Sequence, residues 1–294
     1  DVLVWYSPTI FWGPIIKLLN FFKKSHKYLI LRDIFPKWAI DLEILKKEGI
    51  KHKVLRVFEN LQYRTADTIA IQTEGNISYF EDIPNTSKKI RILRTWYDSS
   101  SSEIDLPESI CNKIPKNKKI LLYAGNLGIA QDQELLLETI KKMQDQEEFI
   151  FLLVGLKDKD KHNVEKYSSM QGLSNLLILD SIDHKYMDAL CRRSYIGIFS
   201  LDKRHTTHNI PGKFLQYLST GLPVFGLCGK GDIVKLISDR GFGRTYLGNQ
   251  ADEAVEILKE LSSDIENDRI DSASLKNYID DELSTKSAVK HILE

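Results

Sequence analysis

The sequence predicts an α/β protein built from two facing, doubly wound parallel domains. Three observations carry this. Short apolar runs without polar alternation recur through the second half, as expected for strands buried on both faces. Amphipathic stretches separate them, which makes the connections helical and the sheet parallel. The first half repeats the same rhythm before a polar stretch, and 294 residues suit about two domains.

The elements follow in order. In the first half Val2–Trp5, Tyr28–Leu31, Thr68–Gln72 and Ile90–Leu93 read as strands, with helices over Ile10–Phe22, Lys37–Lys46, Leu55–Thr65 and Glu74–Phe80. Four strands make a thin sheet for this class. Residues 1–98 are therefore expected to be a truncated N-terminal domain that continues upstream by about 80–100 residues. Residues 99–117, with Ser99–Ser102 and Pro107, read as a linker. In 118–294 the strands are Ile120–Ala124, Phe149–Val154, Leu176–Leu179, Ile196–Phe199 and Val224–Leu227. Asp132–Gln146 is helical, with Leu136, Ile140 and Met143 on one face.

Composition narrows function only a little. Lys plus Arg and Asp plus Glu each total 41, so net charge points to no nucleic-acid partner. Residues 1–98 carry 16 basic against 11 acidic side chains, a mild surplus that suits a phosphate-rich surface. Cys111, Cys191 and Cys228 are scattered, without metal or disulfide spacing, so a reducing cytoplasm is expected. No run of about 18 apolar residues predicts a membrane span.

The most informative segment is Asn209–Val224. Asn209 is the expected helix cap, Pro211 sits near the first turn, and Gly221 with Pro223 stops the helix. Free N–H groups and the positive dipole end then face whatever precedes the helix, and Lys213 adds a full charge. This is a diphosphate cradle, with Gln216 one turn on as a ribose contact. Gly125-Asn126-Leu127-Gly128 follows a strand, where glycines permit close ligand approach; an ordinary tight turn fits equally.

Further segments stay open. Lys203–His208 lies at a strand's carboxyl end, and Arg204 could meet an anion there; His205 and His208 complete no metal pattern. Arg32-Asp33 could be a simple pair or cap, or Asp33 could touch a sugar hydroxyl or accept a proton. Ile10–Phe22 beside Lys23, Lys24 and Lys27 fits an interfacial helix as well as a buried crossover. Asp158-Lys159-Asp160 reads as a solvated loop, and no metal is assigned.

The order "ILLYAGNLGIAQDQELLLETI", "FLLVG" and "NIPGKFLQYLSTGLPVFG" resembles the nucleotide-binding domain of GT-B fold glycosyltransferases, family 4. "WYSPTIFWGP", "ILRDIFPKWAIDL" and "YRTADTIAIQTEG" look like the later part of that family's N-terminal domain. Within it, the chain is most similar to the WbuB-type transferases of O-antigen assembly, assigned to N-acetyl-L-fucosamine. The resemblance implies two Rossmann-like domains, a UDP-sugar donor, a lipid-diphosphate-linked saccharide acceptor, no metal or other cofactor, and work on the cytoplasmic membrane surface.

It also implies site residues. Asp33 and Lys213 would be catalytic. Gly125, Asn126, Gly128, Gln131, Arg204, His208, Asn209, Pro211, Gly212 and Gln216 would bind the nucleotide sugar. This chain departs from the family's pattern: His208 and Gln216 stand where two glutamates are common, and Asn126 and Gln131 where an Arg and a Lys hold the pyrophosphate. A GT-B UDP-sugar epimerase and a nucleotide-binding fragment without activity are the alternatives.

Overall fold

The computed structural model describes residues 1–98 and 104–294; the Ser99–Ser102 part of the expected linker lies outside them. The chain forms two parallel sheets. The first has the order β1 (Val2–Tyr6), β2 (His26–Leu31), β3 (Thr68–Ile71), β4 (Ile90–Ile92). The second comprises β5 (Lys119–Ala124), β6 (Phe149–Val154), β7 (Leu176–Leu179), β8 (Ile196–Ser200), β9 (Val224–Leu227) and β10 (Gly243–Tyr246). Its order, β10-β9-β8-β5-β6-β7, reverses direction between β5 and β8. Ligands of such sheets sit beyond the strands' carboxyl ends at that reversal.

Helices connect the strands: α1 (Trp12–Phe22), α2 (Lys37–Asp41) and α3 (Ile50–Thr65) in the first domain, then α4 (Glu108–Cys111), α5 (Gln133–Lys142), α6 (Asp158–Gln171), α7 (Met187–Arg193), α8 (Gly212–Ser219), α9 (Asp232–Arg240), α10 (Ala251–Glu266), α11 (Ser272–Glu282) and α12 (Thr285–Leu293). Both faces of the second sheet are packed: Leu122, Leu152 and Phe199 on one side, Leu121, Phe151 and Ile198 on the other. All six residues of β6 are buried, so its unbroken apolar run is a consequence of two-sided packing.

Several expected boundaries shift. α2 ends at Asp41 rather than Lys46, and Glu43 just beyond adopts a left-handed φ of 58°. The Glu74–Phe80 helix is the tighter 3-10 form. Asp158–Asp160, read as a solvated loop, opens α6; its two acidic side chains complement the helix's first turn. Asp132 caps α5 by accepting from the Leu135 N–H at 3.0 Å. β10 is an addition to the expected strands; it lies at the sheet edge with only Tyr246 buried, so no apolar run announces it.

The last helix returns to the first sheet. Ala288 and Ile292 of α12 pack with Tyr28, Ile30, Ala70 and Leu93. The packing therefore does not follow a division that gives all of 118–294 to the second domain. Tyr97 bridges to Ser284 beside this crossing and donates its N–H to the Leu283 carbonyl at 2.9 Å.

α1 is neither buried all round nor free. Gly13 and Ile16 face inward, and a Cβ on Gly13 would stand 2.9 Å from the Gln62 backbone, so α1 and α3 touch main chain to main chain. The other face exposes Leu18, Phe21 and Phe22 at 60%, 84% and 78%. Among the described residues no helix is long and apolar enough to cross a membrane.

Candidate active site

The strand-reversal point gathers two turns and one helix end. Gly125, just after β5, has φ 93° and donates its N–H to the Val154 carbonyl at 2.7 Å. Gly155, just after β6, has φ 77° and lies directly alongside, a Cβ there falling 3.7 Å from the Gly125 Cα. Only glycine adopts these φ values without strain, so the bare backbone forms the floor. Tyr123 reaches under the turn, its hydroxyl donating to the Asn126 carbonyl at 2.9 Å.

α8 points its amino end at this floor. Its far end is a Schellman stop: the Leu222 N–H bonds to the Tyr217 carbonyl and the Gly221 N–H to the Leu218 carbonyl, each at 2.9 Å, with Gly221 at φ 76°. The cap residue is Pro211, with no side-chain bond to the helix N–H groups. The expected cap, Asn209, is engaged elsewhere. Its Nδ2 donates to Asp33 Oδ1 across the cleft at 3.0 Å. The first N–H groups of α8 are thus left without a side-chain cap.

Lys213 lies in this first turn. Its stem is partly exposed, but Nζ is shut from solvent and, among the described residues, has no hydrogen-bond partner. Nζ sits 3.6 Å from the centre of the Tyr123 ring, and a Cβ on Gly125 would lie 4.0 Å from Cε. Burial without a carboxylate partner pushes its pKa down to about 7. An ammonium placed so is costly unless an anion joins it.

The other expected contacts divide. Gln131 folds back to accept the Gly128 N–H at 2.8 Å, bracing the turn, while Asn126 Oδ1 is buried without a partner. Arg204 is exposed and paired with Asp202, Nη2 to Oδ2 at 2.6 Å, not lodged in the cradle. Gly212 faces open space, where a Cβ would meet nothing within 4 Å. Gln216 differs from expectation: it is buried, and its Nε2 donates to Asp188 Oδ1 at 3.1 Å, an oxygen that also accepts from the Tyr97 hydroxyl at 3.0 Å. One of its two amide N–H groups is therefore engaged with the core.

His208 packs its ring over Gly75, where a Cβ would come within 2.2 Å of Nδ1. Nδ1 either accepts the Asp232 N–H at 3.1 Å or, protonated, meets the Asp232 carboxylate at 3.1 Å. Arg32 does not pair with Asp33. Its guanidinium lies 4.5 Å from the Trp96 ring centre, and burial holds its pKa down. The Asp33 carboxyl is pushed up by burial, opposed by His205, Asn209 and Arg32.

Apart from Asp33, sequence reading missed the first-domain side of the site. Gln72, Thr73 and Asn76 reach the 208–210 backbone, and Asp41 accepts from the Thr206 N–H at 3.1 Å. It also missed Gly229–Asp232, which with His205, Thr207 and His208 lines a small hollow between the loops after β8 and β9. Among the described residues no group of three or more His, Cys, Asp or Glu is arranged to hold a metal ion.

Residues 118–264, half of the chain and the part carrying this cradle, match the family described as Glycosyl transferases group 1. The chain belongs to that family. "Putative colanic acid biosynthesis glycosyl transferase WcaI" of Escherichia coli (strain K12) is 22% identical over 75% of this chain and 56% of its own length. "Probable glycosyltransferase WbjE" of Pseudomonas aeruginosa is 21% identical over 79% of this chain and 59% of its own. The chain thus spans less than two thirds of the length of these relatives. The structure of Anabaena HepE in complex with UDP and glucose superimposes with a TM-score of 0.77 at 14% identity, covering 99% of this chain and 76% of that one. The shared fold is the GT-B arrangement. Membership in the group 1 family does not favour the epimerase or the binding-only alternatives.

Proposed function

We propose that this chain is the catalytic body of a glycosyltransferase that moves a sugar from a UDP-linked donor to a saccharide acceptor. One observation carries the reading: the Lys213 ammonium is buried, unpartnered and set in the first turn of an uncapped helix opposite a glycine floor. That arrangement wants a diphosphate. Negative charge builds on the leaving nucleotide diphosphate as the sugar departs, and Lys213 with the α8 N–H groups stabilises it without reorganising. Charge compensation here is assigned to the protein and not to a divalent ion, so turnover should persist in chelator. Asp33, at the facing rim with a carboxyl raised by burial, is the group assigned to the acceptor side.

The finer reading is a UDP-linked N-acetylated deoxyhexose such as N-acetyl-L-fucosamine, given to a lipid-diphosphate-linked saccharide in O-antigen or capsule assembly. The exposed Leu18, Phe21 and Phe22 of α1, with Lys17, Lys23 and Lys24, support work at the cytoplasmic face of a membrane. WcaI is named for colanic acid biosynthesis, which supports the polysaccharide context.

Calorimetric titration with UDP and UDP-GlcNAc tests the donor site, and a turnover assay with a lipid-diphosphate sugar tests the transfer. UDP binding that is unchanged in Lys213→Ala would place the site elsewhere.

A further inference from the structure

We infer that Gln72 and Asn76, on the first domain, are positioning residues for the diphosphate cradle on the second. The inference rests on the nucleotide-sugar reading of that cradle. Both side chains are buried, and both reach across the cleft. Gln72 Oε1 accepts the Ile210 N–H at 3.0 Å while its Nε2 donates to the Arg32 carbonyl at 2.8 Å. Asn76 Oδ1 accepts the His208 N–H at 2.9 Å and its Nδ2 donates to the His208 carbonyl at 3.1 Å. Thr73 Oγ1 donates to that same carbonyl at 3.0 Å.

Three main-chain polar groups just ahead of α8 are therefore satisfied by side chains of the other domain. Between that anchor and Lys213 stand only Pro211 and Gly212. The proline ring fixes φ, so the register imposed at Ile210 passes into the first turn of the helix. The helix start has no side-chain cap of its own to do this job. Gln72 also grips the carbonyl next to Asp33, so one amide sets the acceptor-side carboxylate against the donor-side ammonium. Neither Gln72 nor Asn76 need touch a ligand. Each acts by ordering the loop that does, and the ordering exists only when the two rims meet.

The test is calorimetric titration of the whole chain with UDP, paired with thermal unfolding, for Gln72→Ala, Asn76→Ala, Asn76→Asp and Thr86→Ala. Each alanine variant at 72 and 76 should weaken UDP binding about tenfold, the effect of one lost backbone anchor. Asn76→Asp, which keeps the acceptor for the His208 N–H, should recover part of that loss. Thr86 is buried in the same domain and its hydroxyl donates to the Phe80 and Ile83 carbonyls of that domain, so Thr86→Ala should lower Tm yet leave UDP affinity in place. Wild-type affinity in Gln72→Ala and Asn76→Ala, or an equal loss in Thr86→Ala, overturns the positioning role. A wild-type chain that does not bind UDP removes the nucleotide reading itself, and the positioning role with it.

Discussion

Two buried charges, Glu59 in the first domain and Lys213 in the second, are treated in opposite ways. In the first, Glu59 is fully buried, yet each oxygen is used: Oε1 accepts from Tyr63 at 3.0 Å and Tyr79 at 2.6 Å, and Oε2 from Arg56 at 2.6 Å. In the second, Lys213 Nζ is equally shut in and, among the described residues, meets the face of Tyr123 without a hydrogen bond. A satisfied buried charge holds architecture together. An unsatisfied one weakens the empty protein and is kept for something that arrives later.

The contrast can be broken most forcefully at Glu59. Glu59→Ala strands one guanidinium and two hydroxyls and should destabilise the chain by about 3 kcal/mol, the low end for a buried pair because Arg56 reaches solvent. Denaturant titration reads this; a loss under about 1 kcal/mol would make the network ornamental. Lys213→Met is the mirror case. It should cost about 1.5–3 kcal/mol of UDP binding, the worth of a hydrogen bond to a charged group, while thermal stability of the empty chain holds or rises. A variant that loses both together would mean Lys213 is structural.

A subtler expectation concerns protons. Lys213 has a folded pKa of about 7, against 10.5 for an ordinary lysine, so the unfolded chain binds more protons between those values. Lys213 therefore makes the empty protein gain stability as pH rises through that window, and the gain is absent below about pH 7. A bound diphosphate restores the ammonium, so UDP binding near pH 8 should take up as much as about one proton. Titrations in buffers of different ionisation enthalpy measure that uptake, and Lys213→Met should abolish it. The smallest effect belongs to α1. Phe21→Ser with Phe22→Ser should change stability by no more than about 0.5 kcal/mol, since both rings are exposed, but reduce cosedimentation with anionic vesicles. Unchanged cosedimentation would detach this helix from any membrane role.

Legibility in the sequence follows where the burial comes from. β5 and β6 are readable because both faces are covered, and α8 because Gly221 and Pro223 end it by local rules. β10 is not, since an edge strand with one buried residue carries no pattern. Asn209 has the chemistry of a cap, but Asp33, 176 positions away, claims its amide. Gln216 has the chemistry of a ligand contact, and its bond to Asp188, 28 positions away, is invisible in the local sequence. Gln72 and Asn76 leave no trace because their partners exist only once two separate sheets approach.

The return of α12 to the first sheet has a mechanical consequence. The backbone passes between the domains twice, and beside Tyr97 and Ser284 the two passages are laced to each other. A single strand would let one lobe swivel freely about the other. Two passages fastened side by side should resist twisting more than one would.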